Sequence, residues 1–118
     1  MPIGLKRTYE PPAKSDGRRI LVDRVWPRGI AKDDLQIDAW LKDLAPSTAL
    51  RKWFDHDPAK WDEFRKRYAR ELEQRSEALE ELVENARAGH VTLVFGAKDT
   101  ERNNAVALRE HLERRLSA

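Results

Sequence analysis

The sequence predicts a single α/β domain in which a small parallel or mixed sheet is covered by helices. Residues 20–22 and 91–95 are runs of apolar and β-branched side chains, typical of strands that are buried on both faces. Helical patterns separate these runs, and strands separated by helices favour such a layered fold. The 118 residues fit one domain, 1–118, with no room for a second.

Three segments are predicted to form the sheet. In residues 3–9, the apolar side chains Ile3, Leu5 and Tyr9 fall on alternating positions. Residues 19–25 contain three consecutive large apolar side chains and end at Trp26-Pro27. Residues 91–96 give the strongest strand signal, because they are rich in β-branched and aromatic side chains.

Helices are predicted for the rest of the chain. Residues 35–44 suggest a short irregular helix, and residues 48–54 a helix that begins after Pro46-Ser47. Asp57-Pro58 begins a helical region ended by Gly89, either one long helix or two that break near Ser76. A last helix follows capping residues at 98–100. We expect seven residues of these elements to be largely buried: Trp53, Phe64, Leu72, Leu93, Phe95, Leu108 and Leu112.

Composition excludes several classes of protein. The chain has no cysteine, so disulfides, thiolate zinc sites and cysteine nucleophiles are excluded. The three histidines lack metal-ligand spacing, and we expect neither a metal nor a cofactor, with His90 at a strand edge and His111 on a helix surface. The N-terminus lacks the apolar core of a signal peptide, and no apolar run is long enough to span a bilayer. We therefore expect a cytoplasmic protein.

Charge is unevenly distributed along the chain. Residues 1–32 contain eight Lys and Arg against three Asp and Glu, whereas the whole chain carries a formal net charge of only +2. A basic N-terminal third attracts anionic ligands. The small net charge of the whole chain does not favour a dedicated DNA-binding protein, so we expect weak, salt-dependent DNA binding at most.

Polar side chains follow the second predicted strand, in the segment 23–29. In open α/β sheets, ligands bind outside the carboxyl ends of the strands. Arg24 and Arg28 flank a rigid Trp26-Pro27 pair there, and guanidinium groups bind phosphate or carboxylate in a bidentate manner. This pattern fits an anion clamp. It fits equally a structural arrangement in which Asp23 and Arg24 form ion pairs and Trp26 fills the core.

Two further features have both a functional and a structural interpretation. His56 lies between predicted helices with carboxylates on both sides, which suits acid–base chemistry, an exposed loop or a helix cap. The four tryptophans, Trp26, Trp40, Trp53 and Trp61, can form an aromatic cage, but at this spacing the core interpretation is favoured.

Several motifs resemble one known family over nearly the whole chain. They are the segments 16–29 and 45–54, His56-Asp57-Pro58, Arg7-x-Tyr9, Phe64-x-x-x-Tyr68-x-x-Glu71-Leu72, Val91-Thr92-Leu93 and Asn103-x-Ala105. Together they resemble the YeaO-like group of domain-of-unknown-function family 488. The resemblance implies a small α/β fold in bacterial, cytoplasmic proteins without an established activity.

The resemblance also implies a set of functional residues. The family's characteristic polar side chains correspond to Arg7, Tyr9, Asp23, Arg24, Arg28, Lys32, Arg51, His56, Tyr68 and Asn103. Relatives often have a histidine where this chain has Asn104, which counts against a mechanism that needs two imidazoles. Broader relatives carry a Cys-His-Arg run after the last strand. This chain has none, so a thiol-dependent activity is ruled out.

Three hypotheses follow for the function. The first is an anion-binding cleft at the strand ends, for a phosphate, nucleotide or carboxylate, with or without catalysis. Asp23, His56 and Tyr68 are its candidate acid–base groups, and its candidate anion ligands are Arg7, Tyr9, Arg24, Arg28, Lys32, Arg51 and Asn103. The second is a nucleic-acid-binding module that uses the basic N-terminal third. The third is an interaction protein that associates through its amphipathic middle helices.

Overall fold

A four-stranded parallel sheet forms the centre of the fold in the computed structural model, which describes residues 3–117. Its strands are β1 (Ile3–Arg7), β2 (Arg18–Leu21), β3 (Ala39–Trp40) and β4 (Val91–Phe95). They lie in the order β1-β4-β2-β3, and every pair is parallel. The predicted α/β class and the three predicted strands are confirmed. Because the strands are parallel, their carboxyl ends meet at one edge of the sheet.

Five helices accompany the sheet within the described residues. They are α1 (Lys32–Leu35), α2 (Thr48–Phe54), α3 (Trp61–Glu73), α4 (Ser76–Ala88) and α5 (Asn104–Ser117). Short 3₁₀ turns occupy Lys14–Asp16, Lys42–Leu44 and Pro58–Lys60. Of the two alternatives for the region after Asp57, the structure has two helices, α3 and α4, separated at residues 74–75. None of the helices within residues 3–117 is long and apolar enough to cross a membrane.

The caps predicted for the middle helices are present. The Ser47 hydroxyl accepts a hydrogen bond from the Leu50 amide at 3.1 Å and begins α2. The Asp57 carboxylate accepts from the Ala59 amide at 3.0 Å, but the turn it begins is 3₁₀, and α3 proper starts at Trp61. Helix α5 begins at Asn104, later than predicted, because Asp99 caps a separate turn through the amides of Glu101 and Arg102.

The irregular helix predicted for residues 35–44 is wrong. Residues 39–40 form the edge strand β3, in which Ala39 pairs with Ile20 and Trp40 with Leu21. A strand of two residues is too short to show alternation of apolar and polar side chains, so the spacing of the surrounding apolar residues resembled that of a helix.

The predicted core is confirmed except at Trp53. Phe64, Leu72, Leu93, Phe95, Leu108 and Leu112 are buried. Trp53 is only half-buried, and the guanidinium of Arg67 lies 4.1 Å from the centre of its ring. His111 was expected on the surface but is buried, because α5 packs on α3 and its Nε2 lies 2.7 Å from Glu73 Oε1.

Candidate functional site

A cleft of about 450 Å³ opens at the carboxyl edge of the sheet. Its walls come from the segments after β2 and β4, the segment before α2, the end of α2, and the start of α5. The polar and charged residues that line it are Asp23, Arg24, Arg51, Lys52, Asp55, His56, Arg102, Asn103 and Asn104. Five of these, Asp23, Arg24, Arg51, His56 and Asn103, are among the ten residues predicted for the site.

Asp23 joins the ends of β2 and β4 at the floor of this cleft. Its Oδ2 accepts a hydrogen bond from the Gly96 amide at 2.8 Å, and its Oδ1 accepts from Asn104 Nδ2 at 3.0 Å. Asn104 Nδ2 also donates to the Val22 carbonyl at 3.1 Å, which holds the start of α5 against the end of β2. Both oxygens of the carboxylate are therefore occupied by structural donors.

Burial raises the pKa of the Asp23 carboxyl, while the hydrogen bonds from Asn104 and Gly96 and the nearby charge of Arg51 act in the opposite direction. A carboxyl whose pKa is higher in the folded state than in the unfolded chain binds more protons when folded. Its contribution to stability is therefore largest at low pH and declines as the pH rises through its folded pKa.

Asp23→Asn should be destabilised at neutral pH by about 1–3 kcal/mol, since one carbonyl oxygen cannot accept from both Gly96 and Asn104. The gap in free energy of unfolding between wild type and variant should shrink as the pH rises from about 4 to 7. Urea unfolding at both pH values measures this gap. Because the variant keeps every other titratable group, a gap that widens with pH would contradict the raised pKa of Asp23.

Arg24 and Arg51 approach the cleft from different elements. Arg24 Nη2 lies 3.5 Å and 3.4 Å from the carbonyls of Ala45 and Pro46, contacts at the long limit of hydrogen bonding, and its buried Nε has no partner within residues 3–117. Arg51, on α2, makes no side-chain hydrogen bond or ion pair to any described residue and is exposed. Two guanidinium groups with unused donors thus line one cleft.

The end of α2 reaches the cleft in a strained conformation. Asp55 and His56 both have positive φ angles, 46° and 54°, which residues with a side chain adopt at a cost of about 1–2 kcal/mol each. Strain of this kind clusters at functional sites. The result is an exposed imidazole beside the cleft, 6.4 Å from the ring of Phe54 between centroids.

Asn103 serves the start of α5. Its Oδ1 accepts from the Val106 amide at 2.9 Å, and its Nδ2 donates to the Asp99 carbonyl at 2.9 Å. The side chain is buried and acts as the helix cap, so it lines the cleft without a free polar group. The helix it begins directs the positive end of its dipole to the same place.

The other predicted site residues lie outside the cleft. Arg28 is exposed on the segment that leads to α1, and Lys32 is exposed at the first position of α1. Tyr9 is exposed, and its hydroxyl donates to the Arg28 carbonyl at 3.3 Å. Arg7 donates to the carbonyls of Gly96 and Ala97 and so ties β1 to the end of β4. Three arginines, Arg24, Arg28 and Arg51, therefore do not form one clamp.

Tyr68 is fully buried below the cleft in α3. Its hydroxyl donates a short hydrogen bond to the Leu44 carbonyl, and burial raises its pKa well above the usual range for a tyrosine. A buried phenol in that state exchanges no proton near neutral pH. Within residues 3–117, no group of three or more His, Asp or Glu side chains is placed to hold a metal ion.

Sequence reasoning missed four polar cleft residues, Lys52, Asp55, Arg102 and Asn104. Arg102 and Asn104 lie on the connection from β4 to α5 and at the start of α5, beyond the carboxyl end of the strongest strand, where ligand-binding residues are expected in a parallel sheet. The same rule applied to the segment 97–104 would have found them.

The fold and cleft define a small parallel α/β protein with a basic cleft at the strand ends. The chain belongs to the family described as the inactive DUF488-N3 subclade, which it matches over residues 2–118. It is 45% identical over 112 residues to YeaO of Escherichia coli, a protein described as uncharacterised, covering 95% of this chain and 97% of YeaO. The predicted membership of the YeaO-like group is confirmed.

Mycobacterial relatives are similar at nearly the same level. Uncharacterised proteins of Mycobacterium tuberculosis and Mycobacterium bovis are each 42% identical over 113 residues, covering 96% of this chain and 95% of theirs. No solved structure matches the chain.

Proposed function

We propose that the cleft binds a small anion and does not catalyse a reaction. Its lining carries four permanently cationic side chains, Arg24, Arg51, Lys52 and Arg102, against two carboxylates, Asp23 and Asp55. The observation that carries the proposal is that the guanidinium of Arg51 faces a shared cleft with Arg24 and has no partner among the described residues. Guanidinium groups in this state bind phosphate or carboxylate through two parallel hydrogen bonds.

Binding without catalysis is favoured by the state of the candidate acid–base groups. Both Asp23 oxygens are engaged by Gly96 and Asn104, and the Tyr68 hydroxyl is buried against Leu44. A general acid or base must reach the substrate within hydrogen-bonding distance, and only His56 among the three candidates is exposed at the cleft. The family description, an inactive subclade, supports the same choice.

The nucleic-acid hypothesis gains no support from the basic N-terminal third. Asp16 forms ion pairs with Lys6 at 2.9 Å and with Arg19 at 2.7 Å, and Arg7 is held by two carbonyls. Lys6, Arg7 and Arg19 of the N-terminal third are thus engaged in contacts that stabilise the fold, and they are not available to contact phosphates. We therefore keep the anion cleft as the single proposal.

Phosphate should raise the melting temperature of the wild type more than chloride does at matched ionic strength. A ligand that binds only the folded state stabilises it by roughly 2.7 kcal/mol at a hundredfold excess over Kd, which corresponds to several degrees in a domain of this size. Arg51→Ala should keep the fold, because its side chain is exposed, and should lose most of this anion-specific shift. Differential scanning calorimetry at pH 7 measures both effects.

Arg28→Ala is the matched control, since it removes the same charge from an exposed arginine outside the cleft. It should keep the phosphate-specific shift of the wild type. Equal shifts with phosphate and chloride in the wild type, or equal losses in both variants, would show that the cleft has no anion site.

A further inference from the structure

The cleft is larger than an inorganic anion requires. At about 450 Å³ it falls within the range of pockets that hold organic ligands, roughly 300–1,000 Å³. Phosphate bound between Arg24 and Arg51 would fill only a small part of it. Apolar residues line part of the remaining space, and their character indicates which chemical group the ligand has besides its anionic one.

Apolar side chains form the wall of the cleft beside its arginines. Val25 follows Arg24 in the chain, and Pro46, Phe54 and Phe64 also line the cleft. Phe54 and Phe64 are stacked with their centroids 4.4 Å apart, and the exposed ring of His56 lies next to Phe54. Phe54 and Phe64 are buried, so the apolar and ring surface that a ligand group would meet in this part of the cleft comes mainly from Val25 and His56.

Val25 is the most exposed apolar side chain of the cleft lining. Among the described residues, the two exposed large hydrophobic side chains are Tyr9 and Val25, which are 54% and 63% exposed. Tyr9 lies outside the cleft and holds the Arg28 carbonyl through its hydroxyl. Val25 lines the cleft and has no polar group to interact with water, so a bound apolar group would cover it favourably.

We infer that the ligand is a small organic anion in which a phosphate or carboxylate is joined to an apolar ring. This inference rests on the proposed function, since it places the anionic group at Arg24 and Arg51. The ring lies against the exposed side chains of Val25 and His56, which both line the cleft. A lining that offers both cationic and exposed apolar groups thus favours an amphiphilic ligand over an inorganic ion.

Phenyl phosphate and methyl phosphate test the inference because they share the anionic group and differ in the ring. Isothermal titration calorimetry of the wild type at pH 7.5 should give phenyl phosphate a Kd at least about tenfold lower than that of methyl phosphate, a difference of about 1.4 kcal/mol. Val25→Ser should reduce this preference to about threefold or less, because it weakens the binding of phenyl phosphate more than that of methyl phosphate. Arg51→Ala should weaken both ligands.

Tyr9→Ser is the matched control, because it removes the other exposed hydrophobic side chain from outside the cleft. It should keep the full preference for phenyl phosphate. Equal affinities for the two esters, both dependent on Arg51, would overturn the inference and leave the anion site intact. A preference that survives Val25→Ser would also overturn it. Failure of both esters to bind would overturn the proposed function as well.

Discussion

Leu93→Ala should lower the free energy of unfolding by about 2–5 kcal/mol. Leu93 lies in β4, the strand between β1 and β2, and its side chain is fully buried. Truncation removes apolar contacts on a face covered by helices and leaves a cavity that the parallel sheet cannot close by moving one edge. Urea unfolding followed by circular dichroism measures the loss.

Leu5→Ala provides the comparison for that result. Leu5 pairs with Leu93 in the register of β1 and β4, but it lies on the edge strand and is only half-buried. The same truncation should therefore cost clearly less at Leu5 than at Leu93. A loss below about 1 kcal/mol for Leu93→Ala, or an equal loss in both variants, would show that the core lies elsewhere.

The sequence determined the fold well where an element was long or had a distinct cap. The run from Val91 to Phe95 has the composition of a buried strand. Ser47 and Asp57 are typical capping residues, and each begins the helical segment that it predicts. It failed at β3, because two residues carry no period and their pairing with β2 is a tertiary effect. It also failed at His111, because burial there depends on the packing of α5 against α3.

Part of the site was predictable from the sequence, some residues from their position after a strand and others from the family resemblance. Asp23 and Arg24 follow a strand, so the rule for parallel sheets placed them at the cleft. Arg51 had no such signal and was expected there only through the family resemblance, whereas His56 was also a candidate because carboxylates flank it in the sequence. Arg28 is four residues beyond Arg24, but the chain folds back between them: Trp26 Nε1 donates to the Ile30 carbonyl at 2.8 Å, and Arg28 lies exposed beside Tyr9.

Gly17→Ala should lower the free energy of unfolding by about 3 kcal/mol or more. Gly17 has a φ of +64°, and a Cβ there would lie 2.3 Å from the carbonyl oxygen of His90. That oxygen accepts a hydrogen bond from the Arg18 amide at 3.0 Å, the contact by which β2 enters the sheet beside β4. An alanine must therefore push apart the backbones of the two strands that carry Asp23 and Gly96.

Gly29→Ala separates the two causes of that loss. Gly29 also has a positive φ, +77°, but a Cβ there would have no atom within 4 Å. This variant should lose only the conformational part, about 1 kcal/mol. The difference between the two variants in urea unfolding then measures the contact with His90 together with the extra backbone cost at Gly17, whose ψ of −134° lies outside the left-handed helical region. Equal losses would mean that β2 and β4 do not approach closely at this point. Gly17→Ala should also show a smaller phosphate-specific rise in melting temperature than the wild type. The reason is that Asp23 and Gly96, which follow these two strands, are joined by a hydrogen bond at the cleft.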